Sequence, residues 1–191
     1  PAAGSRKGLS LDLVSPRSLS TLPRRNFAIK LVSLKRALFY LTVPLVLALV
    51  MARWIAENLP GHGNGWEPYP VSLRLVNWTR WALAGHALPE AAVQSLAVQA
   101  RWLTQRLEVH LLGNHLWTNG KALVFAGAFF DGEEAAGWRD TGLRLVEEQL
   151  AEQVLADGGH FERSPMYHSI IIEDLLDLVA LSRCFPGLLP E

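Results

Sequence analysis

A chain of 191 residues, half of them hydrophobic, is long enough for one domain with a substantial core, which excludes a disordered chain. Eighteen basic residues balance eighteen acidic ones, so no global field argues for a nucleic-acid partner, and an anionic ligand has to be held locally. The single cysteine, Cys184, excludes an internal disulfide framework and leaves the redox compartment open.

Residues 1–26 carry Ser, Pro, Arg and Gly with no sustained period and read as an irregular lead-in. Helical patterns follow from Phe27 to Tyr40 and from Leu45 to Asn58, with Pro44 between them. The uncharged run 37–52, behind Lys30, Lys35 and Arg36, has the look of an export signal or a marginal membrane span. It falls short of the about 20 apolar residues that cross a bilayer. A buried helix is therefore the preferred reading, with the membrane or export segment as the alternative. We divide the chain into a poorly assigned lead-in, 1–52, and a helical body, 53–191.

The Gly-rich turn Pro60–Gly65 has neither the glycine spacing nor the preceding strand of a phosphate cradle, and reads as a surface loop. Trp66-Glu-Pro-Tyr-Pro70 then leads into a third helix, 71–85, with Leu73, Val76, Asn77, Arg80, Trp81 and Ala84 expected along one stripe. A fourth helix is expected from Pro89 to Leu112, ended by Gly113, with Val93, Leu96, Ala97, Ala100, Leu103, Leu107 and Leu111 inward. A fifth runs to about Phe130. A sixth, through 143–156, points Leu143, Val146, Leu150 and Val154 inward and stops at Asp157-Gly158-Gly159. Ser164 and Pro165 open the seventh as N-cap and first residue. No stretch alternates with period two, so the fold class is all-α, antiparallel helix pairs joined by short loops. No strict solenoid repeat is found.

Two corners place chemically capable side chains at chain breaks before helices. The first is Gly113-Asn114-His115; the second is Gly158-Gly-His-Phe-Glu-Arg-Ser-Pro-Met-Tyr-His168. Taken singly, Asn114 reads as a favoured N-cap, Tyr167 as a core aromatic and His160 as a loop residue. Together they cluster at helix N-termini, where partial positive charge and free N–H groups favour an anion. If both corners open at one end of the array, they define a carboxylate pocket. The rival readings are weaker. Glu108, His110, His115 and His160 match no zinc spacing. A glycosidase would draw two facing carboxylates from Asp131, Glu133, Glu134, Asp157 and Glu162, most of which stand at helix ends where acids are expected anyway. Ser164 with His168 lacks an acidic orienter and a nucleophile elbow.

Several separated motifs, in order, carry a resemblance: Trp66-Glu-Pro-Tyr-Pro-Val-Ser-Leu-Arg-Leu-Val-Asn-Trp78, Glu108-Val-His-Leu-Leu-Gly-Asn-His115, Asn119-Gly-Lys-Ala-Leu123 and Gly158 to His168. Across residues 53–183 the chain resembles the helical domain of the heparinase II/III polysaccharide lyases, relatives of alginate lyases. The resemblance implies an (α/α) toroid, incomplete here and normally followed by more toroid helices and a β-sandwich. It also implies β-elimination on an anionic, uronate-containing polysaccharide, without a cofactor or metal. Asn114, with His115 beside it, would hold the uronate carboxylate. Tyr167 would transfer a proton to the departing oxygen, and also from C5 if nearby positive charge lowers its pKa. Trp66, Tyr69, Asn77, Trp117, His160, Arg163 and His168 are the expected substrate contacts. The family draws a further catalytic His from beyond the matched region. We expect a fragment of a longer protein, periplasmic or secreted. A non-catalytic glycan-binding domain and a toroid glycoside hydrolase stay open as alternatives.

Overall fold

The computed structural model describes residues 15–16, 34–111 and 113–189. Among them six α-helices form: α1 Leu34–Glu57, α2 Pro68–Leu83, α3 Glu90–Thr104, α4 Asn114–Phe129, α5 Glu133–Gln153 and α6 Pro165–Cys184. A 3-10 turn, Asn64–Trp66, precedes α2. Beside an isolated antiparallel bridge between Val154 and His160, one ladder of two residues a side pairs β1 Ser15–Pro16 with β2 Phe130–Asp131. The all-α expectation holds.

α4 is the centre of the array. Every residue from Trp117 to Phe129 is buried, as a helix apolar on all sides requires. α5 folds back along it after the turn at 130–132, and the two backbones touch. A Cβ placed on Gly142 would lie 2.7 Å from the Gly120 carbonyl oxygen and 2.7 Å from the Val124 backbone nitrogen, so only glycine fits that crossing. α2 covers another flank of α4, α3 packs on both, and α1 lies against α3.

Several boundaries differ from the sequence reading. Residues 34–57 form one helix that runs through Pro44, not two helices parted there, and it crosses residue 52 unbroken; residues 27–33 lie outside the described part. A proline removes one N–H and bends a helix without always ending it. α1 buries Met51 and leaves Leu45, Val46, Leu49 and Val50 exposed. No helix among the described residues is long and apolar enough to cross a membrane.

On α2 the buried stripe is Val71, Ser72, Leu75, Val76, Trp78, Thr79 and Ala82, while Leu73, Asn77 and Arg80 face out. The stripe is rotated from expectation because small polar Ser72 and Thr79 sit inward. α3 stops at Thr104, well short of Leu112, and Gly113 therefore terminates no helix. Residues 105–111 form a loop that tucks the Glu108 side chain inside and leaves Leu111 exposed.

Candidate active site

α2, α4 and α6 bring their N-terminal turns to one end of the array, and each first turn carries a site candidate. Tyr69 is the second residue of α2, Asn114 the first of α4 and Tyr167 the third of α6. The helix N-termini lend this end partial positive charge.

Gly113, at φ 86°, holds a backbone conformation that side-chain-bearing residues rarely adopt, and a Cβ there would lie 2.8 Å from a Glu162 carboxylate oxygen. It occupies the position before the helix, so Asn114 is not the N-cap. The Asn114 amide is thereby left for other work: Nδ2 donates a long hydrogen bond, 3.4 Å, to the Tyr69 hydroxyl. Burial first, then the carboxylate of Asp174 and the nearby Tyr167, push the Tyr69 hydroxyl above its ordinary pKa, against hydrogen bonds from Asn114 and Thr118. Tyr69 is therefore a neutral phenol across the physiological range.

The His115 ring packs beside Tyr69 at 4.8 Å between centroids. Its Nδ1 lies 3.0 Å from Glu108 Oε1. Glu108 is itself pinned by Asn119, whose Nδ2 donates to Glu108 Oε2 at 3.0 Å and whose Oδ1 accepts the Glu108 backbone N–H at 2.9 Å. Asn119 Nδ2 also lies 3.1 Å from Ser72 Oγ. A carboxylate at Nδ1 places a proton on that nitrogen, which leaves Nε2 to act elsewhere.

The two corners meet through Gln153, at the end of α5 and fully buried. Its Nε2 donates to the Gly113 carbonyl at 2.8 Å, and its Oε1 lies 3.3 Å from His160 Nε2. The Glu162 backbone N–H points at His160 Nδ1, 3.3 Å away. An acceptor at Nε2 and a donor at Nδ1 fix His160 as the neutral Nε2–H tautomer. Its ring then lies under Tyr167, 5.9 Å between centroids and 25° between planes.

Several expected contacts are placed elsewhere. Trp66 and Trp117 are buried, 3% and 0% exposed, and cannot stack on a sugar. Trp66 packs among Trp54 and Trp102, and the Trp117 indole N–H is spent on Asp174 Oδ2 at 2.8 Å. His160, 3% exposed with both nitrogens used, supports Tyr167 from beneath and is not a substrate contact. Asn77 lines a separate apolar groove of about 370 Å³ with Trp54, Trp78 and Trp81. Arg163 is exposed at the second corner, in the left-handed region at φ 53°. His168 stands beside Tyr167, its Nδ1 buried and without a hydrogen-bond partner. Among the described residues no three His, Cys, Asp or Glu converge as a metal set.

Gln153 escapes sequence reasoning, and Glu108 enters it only in the zinc set that its spacing excludes and within the motif before His115. The available signal was polarity out of place, since Gln149 and Gln153 interrupt the inward side of α5.

The fold defines a partial (α/α) toroid, with polar side chains gathered on the first turns of alternate helices. A family model described as the heparinase II/III N-terminus matches residues 53–185, and the chain belongs to that family. A heparin-sulfate lyase of Bacteroides stercoris is 31% identical over 63% of this chain and 20% of its own length. One of Pedobacter heparinus is 37% identical over 34% of this chain and 10% of its own length. A crystal structure of heparinase III is similar at a TM-score of 0.61 and 27% identity, over 75% of this chain and 24% of that one. That of a heparan sulfate lyase from Pedobacter heparinus, at 0.52 and 23% identity over the same shares, supports the fold alone. The chain thus spans a quarter or less of the length of these relatives.

Proposed function

We propose that the protein carrying this chain is a polysaccharide lyase that cleaves a uronate-containing glycan of the heparan-sulfate type by β-elimination. The observation that carries the reading is the joining of Asn114 and Tyr167 at one end of the array, through Tyr69 on one side and Gln153 with His160 on the other. The names of the relatives, heparin-sulfate lyases, support the substrate class.

In the proposed reaction the C5 proton leaves, a double bond forms between C4 and C5, and the C4–O bond breaks with its electron pair going to oxygen. Removing a proton beside a carboxylate creates a second negative charge, so donors must meet the carboxylate oxygens as that charge grows. The Asn114 amide and the free side of His115 supply them, aided by the helix N-termini. Tyr167 protonates the departing oxygen, a task suited to a neutral phenol. The C5 proton goes to a base outside these residues, and the resemblance implies a further catalytic histidine beyond the matched region. The remaining length of the relatives has room for that residue, further toroid helices and a β-sandwich.

The test is to incubate the intact protein with heparan sulfate and with alginate while following the ultraviolet band of the C4–C5 double bond. New reducing ends with the band support elimination. Reducing ends without it point to hydrolysis, and binding without either to a glycan-binding domain.

A further inference from the structure

We propose that an ion cluster, buried Lys121 with half-buried Asp174 and Asp177, sets the register of α6 against α4 and so positions Tyr167 across from Asn114; this rests on the reading of those two residues given above. Lys121 Nζ lies 2.6 Å from Asp174 Oδ1 and 2.6 Å from Asp177 Oδ2, its side chain only 6% exposed. The other oxygen of Asp174 accepts the Trp117 indole N–H at 2.8 Å, and Arg80 of α2 reaches Asp177 at 2.9 Å.

The spacing is what makes this cluster more than a brace. Lys121 follows Asn114 by seven residues on α4, and Asp174 follows Tyr167 by seven on α6. Seven residues are close to two helical turns, so each pair lies on one face of its helix, about 10 Å apart along the axis. Both helices start at the same end. Fixing Lys121 to Asp174 therefore fixes Asn114 relative to Tyr167 two turns nearer the N-termini.

Apolar packing does little of this work. α6 buries only Ile171, Leu178 and Leu181, and leaves Ile172, Leu176 and Val179 exposed. Apolar contacts are not directional. A lysine between two carboxylates and a tryptophan N–H tolerates one arrangement. Buried ion pairs add little net stability over apolar replacements, and fixing register is their best-attested use. A slip of α6 by one turn would carry Tyr167 about 5.4 Å, out of reach of any group bound at Asn114.

The test uses the intact protein. Lys121→Met with Asp174→Asn replaces the charges by neutral side chains of similar size and keeps an acceptor for Trp117. Helicity and KM are expected to hold, with kcat down about tenfold to a hundredfold, the scale for a displacement of about 1 Å. Lys121→Arg, which still reaches both carboxylates, is expected to restore most of kcat. A folded double variant with wild-type kcat overturns the proposal. If that variant does not fold, Asp174→Asn with Asp177→Asn, which takes both α6 carboxylates from Lys121 and keeps an acceptor for Trp117, carries the same expectation and the same refutation.

A second readout needs no turnover. Spin labels at Glu147→Cys on α5 and Glu173→Cys on α6, in a Cys184→Ser background, report the distance between those helices. One narrow distribution is expected in the wild type and in Lys121→Arg, and a broadened or displaced one in either double variant. The same narrow distribution throughout overturns the clamp. If the wild-type protein yields no unsaturated product, the lyase reading fails, and these distances still decide the clamp.

Discussion

The α4–α5 hairpin and α6 are held to the core by different physics, and the site takes one half from each. Gly120 and Gly142 let α4 and α5 meet backbone to backbone. α6 buries three apolar residues and otherwise leans on Lys121, Asp174, Asp177 and Trp117. Asn114 inherits its place from close packing, which admits no sliding. Tyr167 inherits its place from directional polar contacts. Disturbing the first half should cost stability, and disturbing the second should cost geometry.

The largest expected effects strike the site itself. Asn114→Ala and Tyr167→Phe in the intact protein should each lower kcat about a hundred- to a thousandfold, some 2.7–4 kcal/mol of transition-state stabilisation, with circular dichroism unchanged. Loss of helicity in either would mean that the residue is part of the scaffold. Gly142→Ala should destabilise by about 1–3 kcal/mol, because its Cβ meets backbone that cannot withdraw. Denaturant unfolding measures this, and an unchanged midpoint would deny that the hairpin is the rigid half.

Glu108→Gln is expected to act next. One amide atom can still accept from His115, but the other becomes a donor facing the Asn119 donor. About 1–1.5 kcal/mol of stability is at stake. Steady-state assays should also register a lower kcat, and a variant unchanged in both respects would remove Glu108 from the account.

The smallest effect concerns pH. The Tyr69 hydroxyl is raised by burial, Asp174 and Tyr167. A group whose folded pKa lies above its unfolded value contributes stability that is fully present below the unfolded pKa. That contribution is lost as pH rises from about 10 through the folded value. Unfolding measured across that window should be less steep in Tyr69→Phe than in wild type, and equal slopes would contradict the assignment.

Much of the fold can be read in the sequence, because helical periodicity, Pro165 and the glycine breaks mark most elements. The failures have physical causes. Pro44 reads as a break between two helices, yet the apolar run on both sides carries one helix through it. Leu107 and Leu111 continue the spacing of α3 into a loop, where Leu107 packs on the core and Leu111 is exposed. Of the site, Asn114, His115, Tyr69 and Tyr167 were named and do gather at one end. The aromatics Trp66 and Trp117 were misplaced because a tryptophan that stacks on a sugar and one that fills a core look alike in sequence. Gln153 acts by tying together segments 40 residues apart, and Glu108 acts through a loop folded back on the start of α4, and helical spacing displays neither.

The central claim is that the two corners act as one site, and a double-mutant cycle on Asn114→Ala and Tyr167→Phe tests it most directly. Turnover of heparan sulfate by the intact protein, read from the ultraviolet band of the unsaturated product, supplies the four rates. Strong non-additivity is expected, the double variant losing little more than the worse single one, as for groups that serve one transition state. Losses that simply add, or a single variant at wild-type rate, would contradict it.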